Sequence, residues 1–424
     1  MNQSAKNAGL AALLVALLTG AWASLKSCAV LEESQDGGQS GLDAGAPQAD
    51  AGQPIDGGIV AWPSGDGGIY VSAYYAAWFP DMLPHSRIDF SAMTHLLVGR
   101  AAPTASGGVT QMLDSDAARG RARALDLCQR AHAAMKKCVL MLGGQGDGAA
   151  FRAASAPSLR ALFVSSILGF LDAMQADGVD LDWEEEIDYP AFLELAKALR
   201  AARPASVLTV PVFPVNTNFG LAPEVASFVR DVHPYVDQVN AMTYGIGMAG
   251  PWDGWVSWHT GALEGHAPSH PTSIESTLAA YHAAGVPKQK LGMGIGFYGI
   301  NYGPPVTAPL QSPSGDYQAD DVEWRYSQLV AGGYLSTAAC STQWDAMAKM
   351  SYRSCPGGFD PGETWSNAGF LSYEDERSIA EKGAWLKANG YGGTICWVAN
   401  YDSLPASGPG PLTAAVRAAF LSAP

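Results

Sequence analysis

From Gly68 onward, short apolar runs alternate with longer amphipathic segments. The runs Ile69–Tyr75, Thr94–Gly99, Cys138–Gly143, Val179–Glu184, Leu208–Phe213, Gln238–Tyr244, Leu291–Tyr298 and Thr394–Ala399 have the length and composition of strands. Between them, Ala117–Lys136, Ser158–Ala176, Tyr189–Ala202, Pro223–Val232, Ile274–Ala284 and Asp375–Asn389 carry apolar residues at helical spacing. Repeated strand–helix alternation predicts an α/β fold, a (β/α)8 TIM barrel. A doubly wound sheet is the alternative. No GxGxxG follows the first strand, and polar residues gather at the C-terminal ends of several strands, which favours the barrel. An irregular stretch, Gly299 to Gly369, follows the seventh strand and reads as an insertion forming a cleft wall.

One strand breaks the apolar pattern. In Asp177-Gly178-Val179-Asp180-Leu181-Asp182-Trp183-Glu184, strand alternation puts Asp180, Asp182 and Glu184 on one face and Val179, Leu181 and Trp183 on the other. Like charges in a row repel, so they are costly if they serve the fold alone. Crowding raises the pKa of at least one member, which lets a protonated acid sit beside an ionised neighbour near neutral pH. A solvated acidic edge or a cation site are the alternatives. A hard-cation loop would instead spread its oxygens around a Gly turn.

Composition narrows the class. The chain has 424 residues, nearly half of them apolar, and a formal net charge of -15. It can bury a large core, and a nucleic-acid partner is excluded. Lys6, the apolar run Gly9 to Gly20 and Ala21-Trp22-Ala23 predict an export signal over residues 1–27. Leu25-Lys26-Ser27-Cys28 is similar to a bacterial lipoprotein box, making Cys28 a candidate for lipidation and membrane attachment. Residues 28–67, poor in bulky apolar side chains, read as a disordered tether, and 68–424 as the folded domain with 299–369 inserted. An exported or surface-anchored chain permits disulfides: Cys340 with Cys355 is the best candidate, Cys128 with Cys138 a second, and Cys396 reads as a buried thiol. No cysteine or histidine spacing suggests a metal, and no cofactor is expected.

With the strands placed, the chain resembles glycoside hydrolase family 18, the chitinase family. The family's DxxDxDxE matches Asp177, Asp180, Asp182 and Glu184. Ala73 to Trp78 is similar to its GYYxxW, Met242-Thr243-Tyr244 to its MxY, Leu291 to Gly299 to its LGxPFYG, and Gly392-Gly393 with Trp397 to its GGxxxW. The resemblance implies substrate-assisted, retaining hydrolysis, an exception to the two-carboxylate scheme. It makes Glu184 the general acid, Asp182 the group that orients the acetamide, Asp180 its partner in charge, Tyr244 a donor to the acetyl oxygen and Trp397 the floor of the pocket. Tyr74, Met242 and Tyr298 join the substrate-binding set, while Asp177 falls out of register and reads as structural. Three departures stand out: Gly245 replaces the Asp of MxYD, Met141 replaces the Ser of SxGG, and Gly99-Arg100 stands where an aromatic is common. Trp252, Trp255 and Trp258 crowd one loop, where at least one ring reads as stacking on sugar, with packing against the insertion as the alternative. His259 beside them reads as structural. The implied partner is chitin or another N-acetylglucosamine glycan, acted on by a monomer. An endo-β-N-acetylglucosaminidase, a peptidoglycan hydrolase and a non-catalytic chitin lectin are the alternatives.

Overall fold

A computed structural model describes residues 68–247, 254–313, 317–319, 324–359, 367–404 and 408–422. The export signal, the tether, Cys28 and Trp252 lie outside the described residues.

Eight parallel strands close on themselves among the described residues: β1 (Tyr70–Ala76), β2 (His95–Pro103), β3 (Lys137–Gly143), β4 (Gly178–Asp182), β5 (Val207–Val212), β6 (Gln238–Ala241), β7 (Leu291–Gly296) and β8 (Gly393–Trp397). Each pairs with the next, and β1 pairs with both β2 and β8, so no edge remains open. A short strand, Val109–Gln111, adds an antiparallel hairpin to the end of β2. The fold is a (β/α)8 barrel. Helices α1 (Ala117–Ala133), α2 (Arg160–Met174), α3 (Tyr189–Ala202), α4 (Pro223–Val232), α5 (Ile274–Ala283) and α6 (Glu376–Asn389) run between the strands.

Local chemistry sets the helix ends. Asp116, Asp188 and Asp375 cap α1, α3 and α6 by accepting from the backbone N–H three residues on. In α3, Ala191, Phe192, Leu195, Ala196 and Leu199 share the buried stripe that packs on the barrel. β4 shows how the barrel sorts its side chains. Outward-facing Trp183 stacks on Phe151 (ring centroids 5.2 Å apart) and leans on Phe192 of α3 (5.3 Å). With the apolar face fixed in the helical layer, the carboxylate face turns to the barrel interior. Asp177, one step below, accepts from the Cys138 N–H, Lys137 and His132, each at 2.8 Å, and ties α1 to β3.

The stretch after β7 is more regular than its sequence suggests. Strands Ile300–Tyr302, Tyr317–Ala319, Ser341–Asp345, Met350–Phe359 and Ala368–Tyr373 form a five-stranded antiparallel sheet. Four of these strands have only three to six residues, and the fifth carries Pro356, Gly357 and Gly358 at a break in register between Ser354 and Phe359, which hides the period-two pattern. Cys340 and Cys355 form a disulfide in this sheet, Cys128 and Cys138 another between α1 and β3, and Cys396 is a buried thiol.

Candidate active site

Asp180 and Asp182 project into the barrel near the C-terminal end of β4, and both are buried. Asp180 accepts from the Tyr74 hydroxyl of β1 at 2.7 Å and from the Thr209 hydroxyl of β5. Burial pushes its carboxyl up to about 7, although both hydroxyls favour the anion. Asp182 lies one pleat higher. Burial, then the charges of Glu184 and Asp180, hold it well above the ordinary carboxylate range, while Arg100 opposes them. Its Oδ1 has no hydrogen-bond donor among the described residues. Glu184 follows just beyond the strand and is half-buried. The three carboxylates thus climb from a dry, hydrogen-bonded base to a solvent-accessible tip. Gly143 gives them room: it pairs with Asp182, holds φ at 99°, and an added Cβ would fall 2.5 Å from the Asp182 carbonyl oxygen.

Aromatic rings gather at the ends of β1, β6, β7 and β8. Trp397 lies edge-on to Tyr74 (5.2 Å) and nearly parallel to Tyr244 (6.5 Å), and Tyr244 meets Tyr298 at 6.1 Å. Trp397 and Tyr244 are half-buried, so each keeps an accessible face beside the carboxylates. Met242, also half-buried, packs against the core.

Residues 71–402 match the profile of the glycosyl hydrolases family 18. The chain belongs to that family. It is similar to a chitinase-like effector of Moniliophthora roreri, 25% identical over 80% of this chain and 91% of the relative. It is also similar to an endochitinase of Manduca sexta, 25% identical over 63% of this chain, but spans only half of that relative's length. Among solved structures, the Group IV chitinase of Ostrinia furnacalis superposes with a TM-score of 0.68 at 23% identity, covering 84% of this chain and all of the other. Human YKL-39, a pseudo-chitinase with retained chitooligosaccharide binding, superposes with a TM-score of 0.67 at 19% identity over 83% of this chain and 99% of the other. At these identities the structural likeness speaks for the fold.

Within the family pattern, two expected contacts are corrected, Trp258 and Tyr74. Trp258 is 1% exposed and its Nε1 donates to the Thr272 carbonyl at 3.0 Å, so the ring is packing and has no face for a sugar. Tyr74 is buried and its hydroxyl donates to Asp180, so it is set against that carboxylate and presents no exposed face for a ligand. Gly245 does not leave a gap for an Asp: its φ is 65°, and an added Cβ would lie 3.0 Å from the Tyr298 hydroxyl, which already fills that space. Trp255 is half-buried. His259 is buried between Asp345 and the Ser372 hydroxyl, each at 3.1 Å, and ties the loop to the second sheet.

Thr209 was not visible as a site residue. The family's Ser is Met141 here, yet Asp180 still receives a hydroxyl, from the opposite neighbour strand. Asp180 and Thr209 are register partners of β4 and β5, a relation that only the folded sheet reveals. Among the described residues, no group of three or more His, Cys, Asp or Glu is placed to hold a metal ion.

Proposed function

We propose that the barrel hydrolyses β-1,4-linked N-acetylglucosamine chains, most simply chitin, with retention and through the substrate's own acetamide. Glu184 donates its proton to the glycosidic oxygen as the bond to the anomeric carbon breaks. The acetamide carbonyl oxygen attacks that carbon and forms an oxazolinium ion. Asp182 accepts the acetamide N–H and offsets the positive charge, with Asp180 taking up the change in ionisation below it. Water then opens the ring and returns the proton to Glu184. Tyr244 donates to the acetyl oxygen, and Trp397 floors the sugar.

The observation that carries this reading is the state of Asp182. It is a buried carboxyl with one oxygen lacking a donor among the described residues, set between a base-anchored Asp180 and a half-exposed Glu184. A buried acceptor without a partner is costly, and the acetamide N–H supplies one. The deciding experiment compares products from soluble N-acetylglucosamine oligomers, chitin, an N-glycopeptide and peptidoglycan, with the first-formed anomer read by NMR. β-Anomeric oligomers from the first two support the proposal. Cleavage confined to the N-glycopeptide or peptidoglycan moves the substrate, and an α-anomer overturns the mechanism. Binding without turnover would favour a lectin, a reading to which Gly245 in place of an Asp lends its one observation. We also propose export, with attachment through lipidated Cys28. A mature terminus at Ser24 excludes the lipid anchor, and an intact Met1 excludes export.

A further inference from the structure

Arg100 stands where β2 leaves its ladder. β2 and β3 run in register up to Val98 and resume at Ala101, leaving Gly99 and Arg100 between paired residues. Such irregularities re-aim a side chain and recur beside active sites. Here the Arg100 guanidinium donates to the Gly143 carbonyl at 3.0 Å and pairs with Asp147. Both anchors belong to the segment that backs Asp182. Gly143 is the register partner of Asp182, and the Gly144 N–H donates to the Asp182 carbonyl at 2.8 Å. Arg100 and Asp147 are 24% and 16% exposed, so their charges act in a setting drier than bulk water.

Asp182 is faced by Asp180 from its own strand, Glu184 from just beyond it, Asp147 from beyond β3, the Tyr74 phenol from β1 and the cationic Arg100 from β2, while Tyr244 faces Tyr74. Four acidic side chains thus share a part-buried volume with a guanidinium. We propose that Arg100 is a positioning residue: clamped by Asp147 and the Gly143 carbonyl, it braces the β3 end that pairs with Asp182 and fixes a positive charge beside the carboxylate row. Its catalytic consequence rests on the hydrolase reading; its electrostatic one does not. Removing the guanidinium makes ionisation of the row harder, so the Asp180–Asp182 pair ionises at higher pH.

The test uses Arg100→Gln, Arg100→Lys and Asp147→Asn in the full chain. Carbon-13 NMR follows the aspartate carboxyls from pH 4 to 10, alongside kcat and KM on a soluble N-acetylglucosamine oligomer. In Arg100→Gln, the upper titration step of the pair is expected to rise by about one pH unit. The acid limb of kcat should rise with it, and kcat should fall roughly tenfold while KM stays within about threefold. Arg100→Lys, which keeps a cation, should hold the step near its original place. Titrations unchanged in folded Arg100→Gln, or moved as far by Lys as by Gln, overturn the proposal. If Arg100→Gln does not fold, Asp147→Asn decides: it removes an anion facing Asp182 while the Gly143 carbonyl still holds Arg100, so the step should fall, and a step that stays or rises overturns the proposal. A wild type that titrates as expected and hydrolyses nothing refutes the enzyme reading alone.

Discussion

Replacing Asp180 with Asn should make the protein more stable at alkaline pH, and the size of the gain follows from the site. The Asp180 side chain is fully buried between the Tyr74 and Thr209 hydroxyls, and burial raises its carboxyl from 3.8 to about 7. The unfolded chain ionises this group freely near pH 4, whereas the barrel resists until about 7. A carboxyl with a raised native pKa contributes stability that is complete below about pH 4 and is lost as the pH rises through about 7. Each pH unit in that window is worth about 1.4 kcal/mol, so the whole interval is worth about 4 kcal/mol. Asn keeps the shape, accepts from one hydroxyl and donates to the other, and has no charge to desolvate. Asp180→Asn should therefore exceed wild type by only about 1 kcal/mol near pH 4.5 and by about 2–4 kcal/mol at pH 8, the lower figure allowing for a proton shared with Asp182. Urea unfolding followed by tryptophan fluorescence, repeated between those pH values with disulfides intact, measures the difference. Parallel stability curves for the two proteins, or a variant weaker than wild type at pH 8, would refute the reasoning.

Other perturbations have equally defined outcomes. Thr209→Val removes the hydroxyl that replaces the family's missing Ser, and should lower kcat about 10- to 100-fold with little change in KM, while Thr209→Ser retains most of the rate. Gly245→Asp places a side chain at a positive φ against the Tyr298 hydroxyl. It should cost about 1–2 kcal/mol of stability, read by thermal unfolding, and fail to raise turnover. Trp258→Ala should lose about 3–5 kcal/mol of stability, yet leave oligosaccharide affinity unchanged by calorimetry, because the ring is buried in the loop and hydrogen-bonded to Thr272.

The barrel was legible because each strand carries its own signal. The run through β4 to Trp183 alternates Val179, Leu181 and Trp183 with Asp180 and Asp182, and that period survives whatever the neighbours do. Glu184 and Asp182 could be singled out on the same basis. What depends on pairing between strands was not legible. Thr209 looks like an ordinary strand threonine until the β4–β5 register sets it opposite Asp180. Arg100 reads as a lost aromatic until the irregularity in β2 turns it toward Gly143. The Trp-rich loop misled for a different reason. Three indoles in a loop have the same composition whether they stack on sugar or fill a core, and Trp258 fills one. In the segment after β7, strands of three to six residues beside one broken by a register shift leave too little period to recognise.

The central claim, that Glu184 is the acid of a substrate-assisted hydrolase, is tested most directly by Glu184→Gln. The amide keeps the shape and removes the proton to be donated. Turnover of a soluble N-acetylglucosamine oligomer should fall at least about a hundredfold, while its Kd by calorimetry stays within about threefold of wild type. Activity in Glu184→Gln close to wild type, with binding equally intact, would contradict the account.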